Sequence, residues 1–224
     1  MYRMKNVLIV LFVSLFILLL SVNKSYSQVY DIDSNVYKSV TIGSQEWLAG
    51  NLNVSKFRNG DKIPEAKTVE EWKKASAEGT PAWCYFDGDN KNGKVYGKLY
   101  NWFAVNDPRG LAPQGWHIPG DEEWTQLIDN LGGEKVAGDK MKTKDEWLYK
   151  QTGTNESGFT GLPGGWRESN FCSYIEFGNS GYWWSSTENA TFGAWYRRLI
   201  YDYPHAFRGD TNKKSGLSVR CVKD

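Results

Sequence analysis

The chain opens with one long apolar run and then changes to short apolar runs separated by glycine and polar residues. Residues 7–22 are almost wholly apolar and follow a short basic head that contains Arg3 and Lys5. Ser25 and Ser27 place small residues at the two positions that a signal peptidase reads. The 16-residue run is shorter than the ~18–20 residues that a spanning helix needs. The pattern predicts a cleavable signal peptide over residues 1–27.

Alternation and helical spacing predict the elements of the first half. Residues 37–42 alternate apolar and polar positions, and the pattern resumes at 45–48, which predicts two short strands around a turn at Gly43. Residues 68–77 read as a helix, with Thr68 and Glu71 spaced as a capping box. A short strand is expected at 83–86.

The clearest helical pattern covers residues 121–131. Its apolar residues fall at i, i+3, i+4 and i+7, which places Trp124, Leu127, Ile128 and Leu131 in one stripe. Acidic residues occupy the first turn, where the helix dipole favours them. A further helical turn is expected within 136–142.

After Asn155 the chain consists of aromatic segments between glycines. Strands are predicted at 158–162, 181–186, 193–201 and 216–222, and the last is expected to pair with the first strand of the chain. Strand, helices and then an antiparallel meander is the order of an α+β fold. We expect one loop-rich domain over residues 28–224, with short antiparallel strands and two or three helices.

Aromatic content sets the expected core, and charge limits the partners. All 11 Trp residues follow the signal segment. Because each large ring buries about 150–250 Å², rings can stabilise a core that is poor in long aliphatic runs. Loss of Arg3, Lys5 and Lys24 leaves 24 basic against 26 acidic side chains, a balance that indicates neither nucleic acid nor an anionic membrane as partner.

Three cysteines, Cys84, Cys172 and Cys221, allow one disulfide with one thiol left over. The sequence does not choose among the three pairings. None of the cysteines forms a CxxC motif, so a zinc ribbon is not indicated.

Catalytic and metal-binding patterns are weak. The two histidines, His117 and His205, form no HxxxH pair, and we expect His117 to bond the backbone. Ser185 and Ser186 lack the GxSxG context of a nucleophile. The acidic turn at 87–93 places Lys91 where an EF-hand needs a ligand. We therefore predict no catalytic residue, no metal and no cofactor.

Aromatic and arginine residues are concentrated in the stretch 188–208. Alternation along the strand would point Trp195 and Arg197 to one face and Tyr196 and Arg198 to the other, and such residues are typical anchors of interfaces. The candidate ligand-binding residues are Trp195, Arg197, Tyr201, Tyr203, His205, Phe207 and Arg208.

A series of short motifs runs through the chain in a fixed order. They are GSQEW (43–47), NLNV (51–54), YGKLYNW (96–102), GWHIP (115–119), LPGG (162–165), GYWWSSTE (181–188), AWYR (194–197) and GLSVRCV (216–222). Together they resemble the Fibrobacter succinogenes major paralogous domain family over residues 37–224.

The resemblance implies an exported protein of the kind found in Fibrobacter and Bacteroidetes, with a C-type-lectin-like fold similar to that of sulfatase-modifying-factor domains. It implies no assigned activity. Members commonly carry a Cys before the GWH motif that could pair with the Cys of the last strand. Ala112 stands there in this chain, which favours Cys221 as a buried free thiol.

These observations predict an exported, non-enzymatic recognition or adhesion module that binds protein or glycan through its C-terminal loops. It would act in the periplasm, at the outer surface or outside the cell. Two alternatives stay open. One is a secreted hydrolase acting on polysaccharide with a carboxylate pair drawn from Glu168, Glu176 and Glu188, and the other is a purely structural envelope protein.

Overall fold

The computed structural model describes residues 28–148 and 153–224. The predicted signal peptide, residues 1–27, lies outside the described residues. Within the described ranges, the helices are all too short or too polar to cross a membrane.

Short strands and helices are spread along the whole described chain. The strands are β1 Gln28–Tyr30, β2 Val36–Ile42, β3 Gln45–Leu48, β4 Trp83–Cys84, β5 Leu99–Tyr100, β6 Trp116–His117, β7 Gly164–Arg167, β8 Tyr174–Phe177, β9 Ser180–Ala190, β10 Gly193–Ile200, β11 Ala206–Asn212 and β12 Val222–Lys223. The helices are α1 Val69–Glu78, α2 Asn90–Tyr96, α3 Trp102–Val105, α4 Asp121–Asn130 and α5 Glu134–Met141. The architecture is α+β, with more helices than the two or three expected, because α2 and α3 are short and carry no strong apolar period.

The N-terminal sheet has the order β1-β2-β3-β12-β6. Ile42 pairs with Gln45 across the predicted turn, where Gly43 has a φ of 63° that glycine adopts freely. The last strand joins this sheet, but beside β3 and β6 and not beside the first strand as expected: Val222 pairs with both Trp47 and His117. The sheet therefore ties the two ends of the described chain together.

The C-terminal sheet has the order β11-β10-β9-β7-β8. Its centre is antiparallel, and β10 runs between β9 and β11. In this register Arg198 lies opposite Tyr182 on one side and Phe207 on the other. These three side chains therefore share one face of the sheet.

The two strongest helical patterns form as predicted. Thr68 caps α1 and forms a capping box with Glu71, and the helix buries Trp72. The α4 stripe is buried through Trp124, Leu127 and Ile128. Both helices begin where local side-chain hydrogen bonds replace the missing intrahelical partners.

Several expected elements are wrong, and each has a local reason. Residues 158–162 form no strand, because Ser157 and Asn155 accept the backbone N–H groups of Phe159 and Thr160. In place of the predicted turn at 87–93, Asp89 accepts a hydrogen bond from the Lys91 N–H and caps α2.

Two further differences concern the C-terminal strands. Most of 216–222 makes isolated bridges to separate partners, Leu217 to Tyr100 and Ser218 to Trp183, instead of a ladder. Residues after His205 lie between the predicted strands 193–201 and 216–222, and they form the additional strand β11.

Indole groups connect distant segments, as the composition suggested. Five Trp side chains donate Nε1–H to main-chain carbonyls far away in sequence, namely Trp72 to Lys214, Trp83 to Ile63, Trp102 to Ser185, Trp124 to Trp184 and Trp184 to Tyr100. Each such ring contributes apolar burial and at the same time donates to a main-chain carbonyl; the acceptors at Ile63 and Lys214 lie outside strands and helices. Irregular backbone is therefore tolerated inside this fold.

The three cysteines are free and buried. Cys221 lies in the same apolar cluster as Ala112, whereas Cys84 and Cys172 share a smaller cluster. Burial raises the pKa of the Cys221 thiol well above its usual range, so this side chain acts as a small apolar group.

Arg220 is fully buried. Its guanidinium donates to Asn51 Oδ1 (2.7 Å) and to the carbonyl oxygens of Leu48 (2.9 Å), Phe159 and Thr160 (2.7 Å). It also lies 4.1 Å from the centroid of the Phe159 ring. Burial lowers its pKa to about 9, so the side chain stays charged at neutral pH.

We expect Arg220→Met to lower the free energy of unfolding by more than about 3 kcal/mol, because four buried acceptors lose their donor. Urea unfolding at neutral pH measures the loss. Lys223→Met is the matched control, since Lys223 makes only an exposed ion pair with Glu46 and should cost less than about 1 kcal/mol. Equal losses in the two variants would contradict this role of Arg220.

Candidate functional site

The inward face of β10 carries two of the candidate binding residues. Arg197 is 2% exposed. Its guanidinium donates to Asp121 Oδ1 (2.6 Å), to the Asp121 carbonyl (3.1 Å) and to Thr125 Oγ1 (3.1 Å). The interpretation of Arg197 as a ligand-binding residue is therefore corrected: it anchors the C-terminal sheet to the first turn of α4.

Arg208 strengthens the same anchor from β11. It forms a two-point hydrogen bond with the Asp121 carboxylate, with distances of 3.0 and 2.9 Å, and its guanidinium lies 3.3 Å from the centroid of the Trp195 ring. Burial raises the pKa of Asp121, but the bonds from Arg208 and Arg197 outweigh it, and the net pKa is lowered. Trp195 and Arg208 thus belong with Arg197 to a structural clamp.

The other face of the hairpin carries a group of three rings, of which Tyr203 is exposed and His205 and Phe207 are partly buried. The His205 ring stacks on Phe207 with centroids 5.2 Å apart and planes 16° apart. Tyr203 packs edge-on against Phe207 at 5.8 Å and is 48% exposed. We call Tyr203, His205 and Phe207 the aromatic end. These are three of the seven residues that the sequence singled out.

The loop behind the aromatic end is held by a buried lysine. Lys142 has no exposed surface, and its ammonium donates to the carbonyl oxygens of Ile200 (3.1 Å), Tyr201 (3.2 Å) and Tyr203 (2.9 Å). Asp139 lies 2.9 Å away and balances its charge. Tyr201, the remaining candidate, is half-buried and packs against the core cluster that contains Leu199.

Helix α5 approaches the same loop closely. A Cβ at Gly138 would lie 2.3 Å from the His205 carbonyl oxygen. Only glycine fits this contact, so the helix backbone lies directly against the loop. The loop is therefore fixed from below by both α5 and Lys142.

A group of polar and aromatic side chains continues the aromatic end across the sheet, and sequence reasoning did not select it. Arg198 donates to Glu176 Oε2 (2.6 Å), and the Tyr182 hydroxyl donates to the same oxygen (2.7 Å). Tyr182 contacts Tyr196 and Trp166, with centroids 5.4 and 5.3 Å apart. Strand alternation was the signal that could have found Tyr196 and Arg198, whereas the β7–β8 hairpin was not predicted.

Glu176 holds this group together at a conformational cost. Its φ of 63° is unusual for a side chain other than glycine and costs about 1–3 kcal/mol. The bonds from Arg198 and Tyr182 keep the carboxylate in place and offset that strain.

The His117 ring bonds two side chains and not, as was expected, the backbone. Its Nε2 lies 2.8 Å from Glu123 Oε1 and its Nδ1 lies 2.7 Å from Asp224 Oδ1. The expected bond to the backbone is thus replaced by two carboxylates. Burial lowers the pKa of His117, but the Asp224 and Glu123 bonds and charges outweigh it and raise the pKa above its ordinary 6.5.

The candidate acidic residues Glu168, Glu176 and Glu188 are bound to separate partners. Within residues 28–148 and 153–224, three or more His, Cys, Asp or Glu side chains do not converge as metal ligands. Glu176 bonds Arg198, Glu188 lies 2.9 Å from Lys213, and Glu168 accepts the Asn170 N–H. Each of these three carboxylates has its own structural partner.

The geometry defines a class: a loop-rich α+β domain that displays aromatic side chains at a rigid sheet end. The chain belongs to the Fibrobacter succinogenes major domain family, whose model matches residues 40–223. Comparison with curated proteins and with solved structures found no match. The family assignment confirms the resemblance that the motifs suggested.

The His117 contacts predict a pH dependence. Because the pKa in the folded state is raised, the stabilisation is fully present below about pH 6.5 and is lost as the pH rises through the folded-state pKa. We expect the difference in unfolding free energy between wild type and His117→Gln to shrink from about pH 5.5 to about pH 8.5. Chemical denaturation across this range tests it, and a difference that stays constant with pH would contradict it.

Proposed function

We propose that this protein is an exported, non-enzymatic recognition module that binds a protein partner through the aromatic end. The observation that carries the proposal is an exposed ring on a fixed backbone: Tyr203 is 48% exposed, while its own carbonyl is bonded to the buried Lys142.

The composition of the surface supports a protein partner. Tyr, Trp and Arg are the residues that dominate binding energy at protein interfaces, and Arg198, Tyr196 and Trp166 adjoin the aromatic end. Cavities with volumes of about 280 to 460 Å³ lie elsewhere on the molecule. A broad face with ring anchors suits a protein surface better than an enclosed small ligand.

Rigidity supports the same conclusion. Ordering a loop on binding costs free energy, and a loop that is already ordered avoids that cost. Three carbonyls on one ammonium hold residues 200–203 in place before any partner arrives.

The state of the ionisable groups favours binding over catalysis. An acid–base pair needs carboxylates free to exchange protons with a substrate. A separate partner binds each of the three candidate carboxylates, Glu168, Glu176 and Glu188. Both ring nitrogens of His117 face carboxylates. These contacts support the recognition module over the hydrolase.

Export and a C-type-lectin-like fold are part of the proposal. The apolar N-terminal run with its small-residue junction supports export. The closure of the N-terminal sheet by the last strand, with helices on the intervening segment, supports a lectin-like arrangement. An experimental structure tests whether the fold is C-type-lectin-like, whereas circular dichroism reports only helix and strand content.

We expect Tyr203→Ala to weaken partner binding at least tenfold, or about 1.4 kcal/mol, because it removes the most exposed ring of the aromatic end. The measurement is a pull-down from cell-envelope extract with residues 28–224 as bait, with a glycan array run in parallel. Tyr30→Ala is the matched control, since Tyr30 is 59% exposed on β1.

Equal retention of the partner by Tyr203→Ala and wild type would contradict the proposed site. A glycan signal that depends on Tyr203, without any captured protein, would contradict the protein partner and show that the partner is a glycan.

A further inference from the structure

A second exposed ring lies at the opposite end of β10. Phe192 is at the tip of the β9–β10 hairpin and is 73% exposed. The eight residues of β10 separate it from the aromatic end by about 26 Å at ~3.3 Å per residue. One small ligand cannot contact both places.

The hairpin tip is fixed by the same means as the aromatic end. Lys213 donates from Nζ to the Thr191 carbonyl (3.0 Å) and from its backbone N–H to the Phe192 carbonyl (2.9 Å). Its ammonium also lies 2.9 Å from Glu188 and 4.7 Å from the centroid of the Trp102 ring. Phe192 is therefore an exposed apolar ring on an ordered support.

A groove of about 360 Å³ lies between this tip and the end of α1. Phe192 and Phe103 supply its aromatic walls, and Phe103 lies within 3.7 Å of the position where a Cβ of Gly79 would be. Ligand sites are typically concave, of about 300–1,000 Å³, with apolar walls and a few polar groups. The groove meets this description.

The rim carries polar groups without a net charge. Glu78 and Lys214 line it with opposite signs, and the Lys213 ammonium is paired with Glu188. Asn212 also lines the rim, with its side-chain oxygen accepting the Lys214 N–H (3.0 Å). Such a rim offers both donors and acceptors and does not select an anion or a cation.

We propose that this groove is a binding site for an uncharged saccharide. A pyranose ring has an apolar face of C–H groups that packs on Phe192 and Phe103, and its hydroxyls meet the polar rim. The groove is separate from the aromatic end, so a variant can lose binding at one site and keep binding at the other.

The test is calorimetric titration of residues 28–224 with neutral hexasaccharides of glucose, mannose and xylose, and with polygalacturonic acid fragments as the charged comparison. We expect binding of at least one neutral hexasaccharide and none of the charged fragments. Phe192→Ser should weaken it at least tenfold and leave the melting temperature unchanged, since the side chain is mostly in solvent.

Phe171→Ser is the matched control, because Phe171 is 79% exposed but does not line the groove. It should bind as wild type does, and so should Tyr203→Ala. Failure of every neutral hexasaccharide to bind, or equal affinity in Phe192→Ser and wild type, would overturn the proposal. Preference for the acidic fragments would overturn it as well.

Discussion

Buried cations held by main-chain carbonyls and aromatic rings are the interaction on which this fold depends. The buried Lys and Arg side chains of the described chain are Lys98, Lys142, Arg167, Arg197, Lys213 and Arg220. Arg167, for example, donates to the carbonyls of Cys172, Ala66 and Thr68 and lies 4.7 Å from the centroid of the Trp72 ring. A buried charge is costly unless it is fully hydrogen-bonded, and irregular loops supply the carbonyls that meet this need.

The same constraint explains how a loop-rich chain keeps a defined shape. Loop carbonyls inside a protein need donors, and one ammonium or guanidinium supplies several at once. Lys98 illustrates the energetic cost of burying a charge, because burial lowers its pKa to about 8. The Asn53 carbonyl and the Trp83 ring stabilise its charged form. At the two ends of β10 the same device holds the backbone that carries the exposed rings of Tyr203 and Phe192.

Whether an element could be predicted from the sequence depends on how far apart in the chain its stabilising residues lie. Helices α1 and α4 were predictable because their caps and apolar stripes are local in sequence. Helix α2 was not, because its sequence is polar and its packing depends on Gly93, where a Cβ would lie 2.0 Å from the Tyr85 ring. Composition singled out Tyr203, His205 and Phe207 as candidates, and their role in binding stays a prediction. The residue that holds their loop was not foreseen: Lys142 is 61 positions away from Tyr203, and nothing in its neighbourhood marks it as buried.

The most direct test of this account is hydrogen exchange in Lys142→Met. We expect faster exchange at the amides of residues 200–203 and 205 than in wild type, with exchange in β9 unchanged, because the three carbonyls lose their common donor. Lys140→Met is the control, since Lys140 lies two positions away in the last turn of α5, is about one-third exposed and pairs with Glu156. Protection at residues 200–203 and 205 equal to wild type in Lys142→Met would show that the buried cation does not hold the loop.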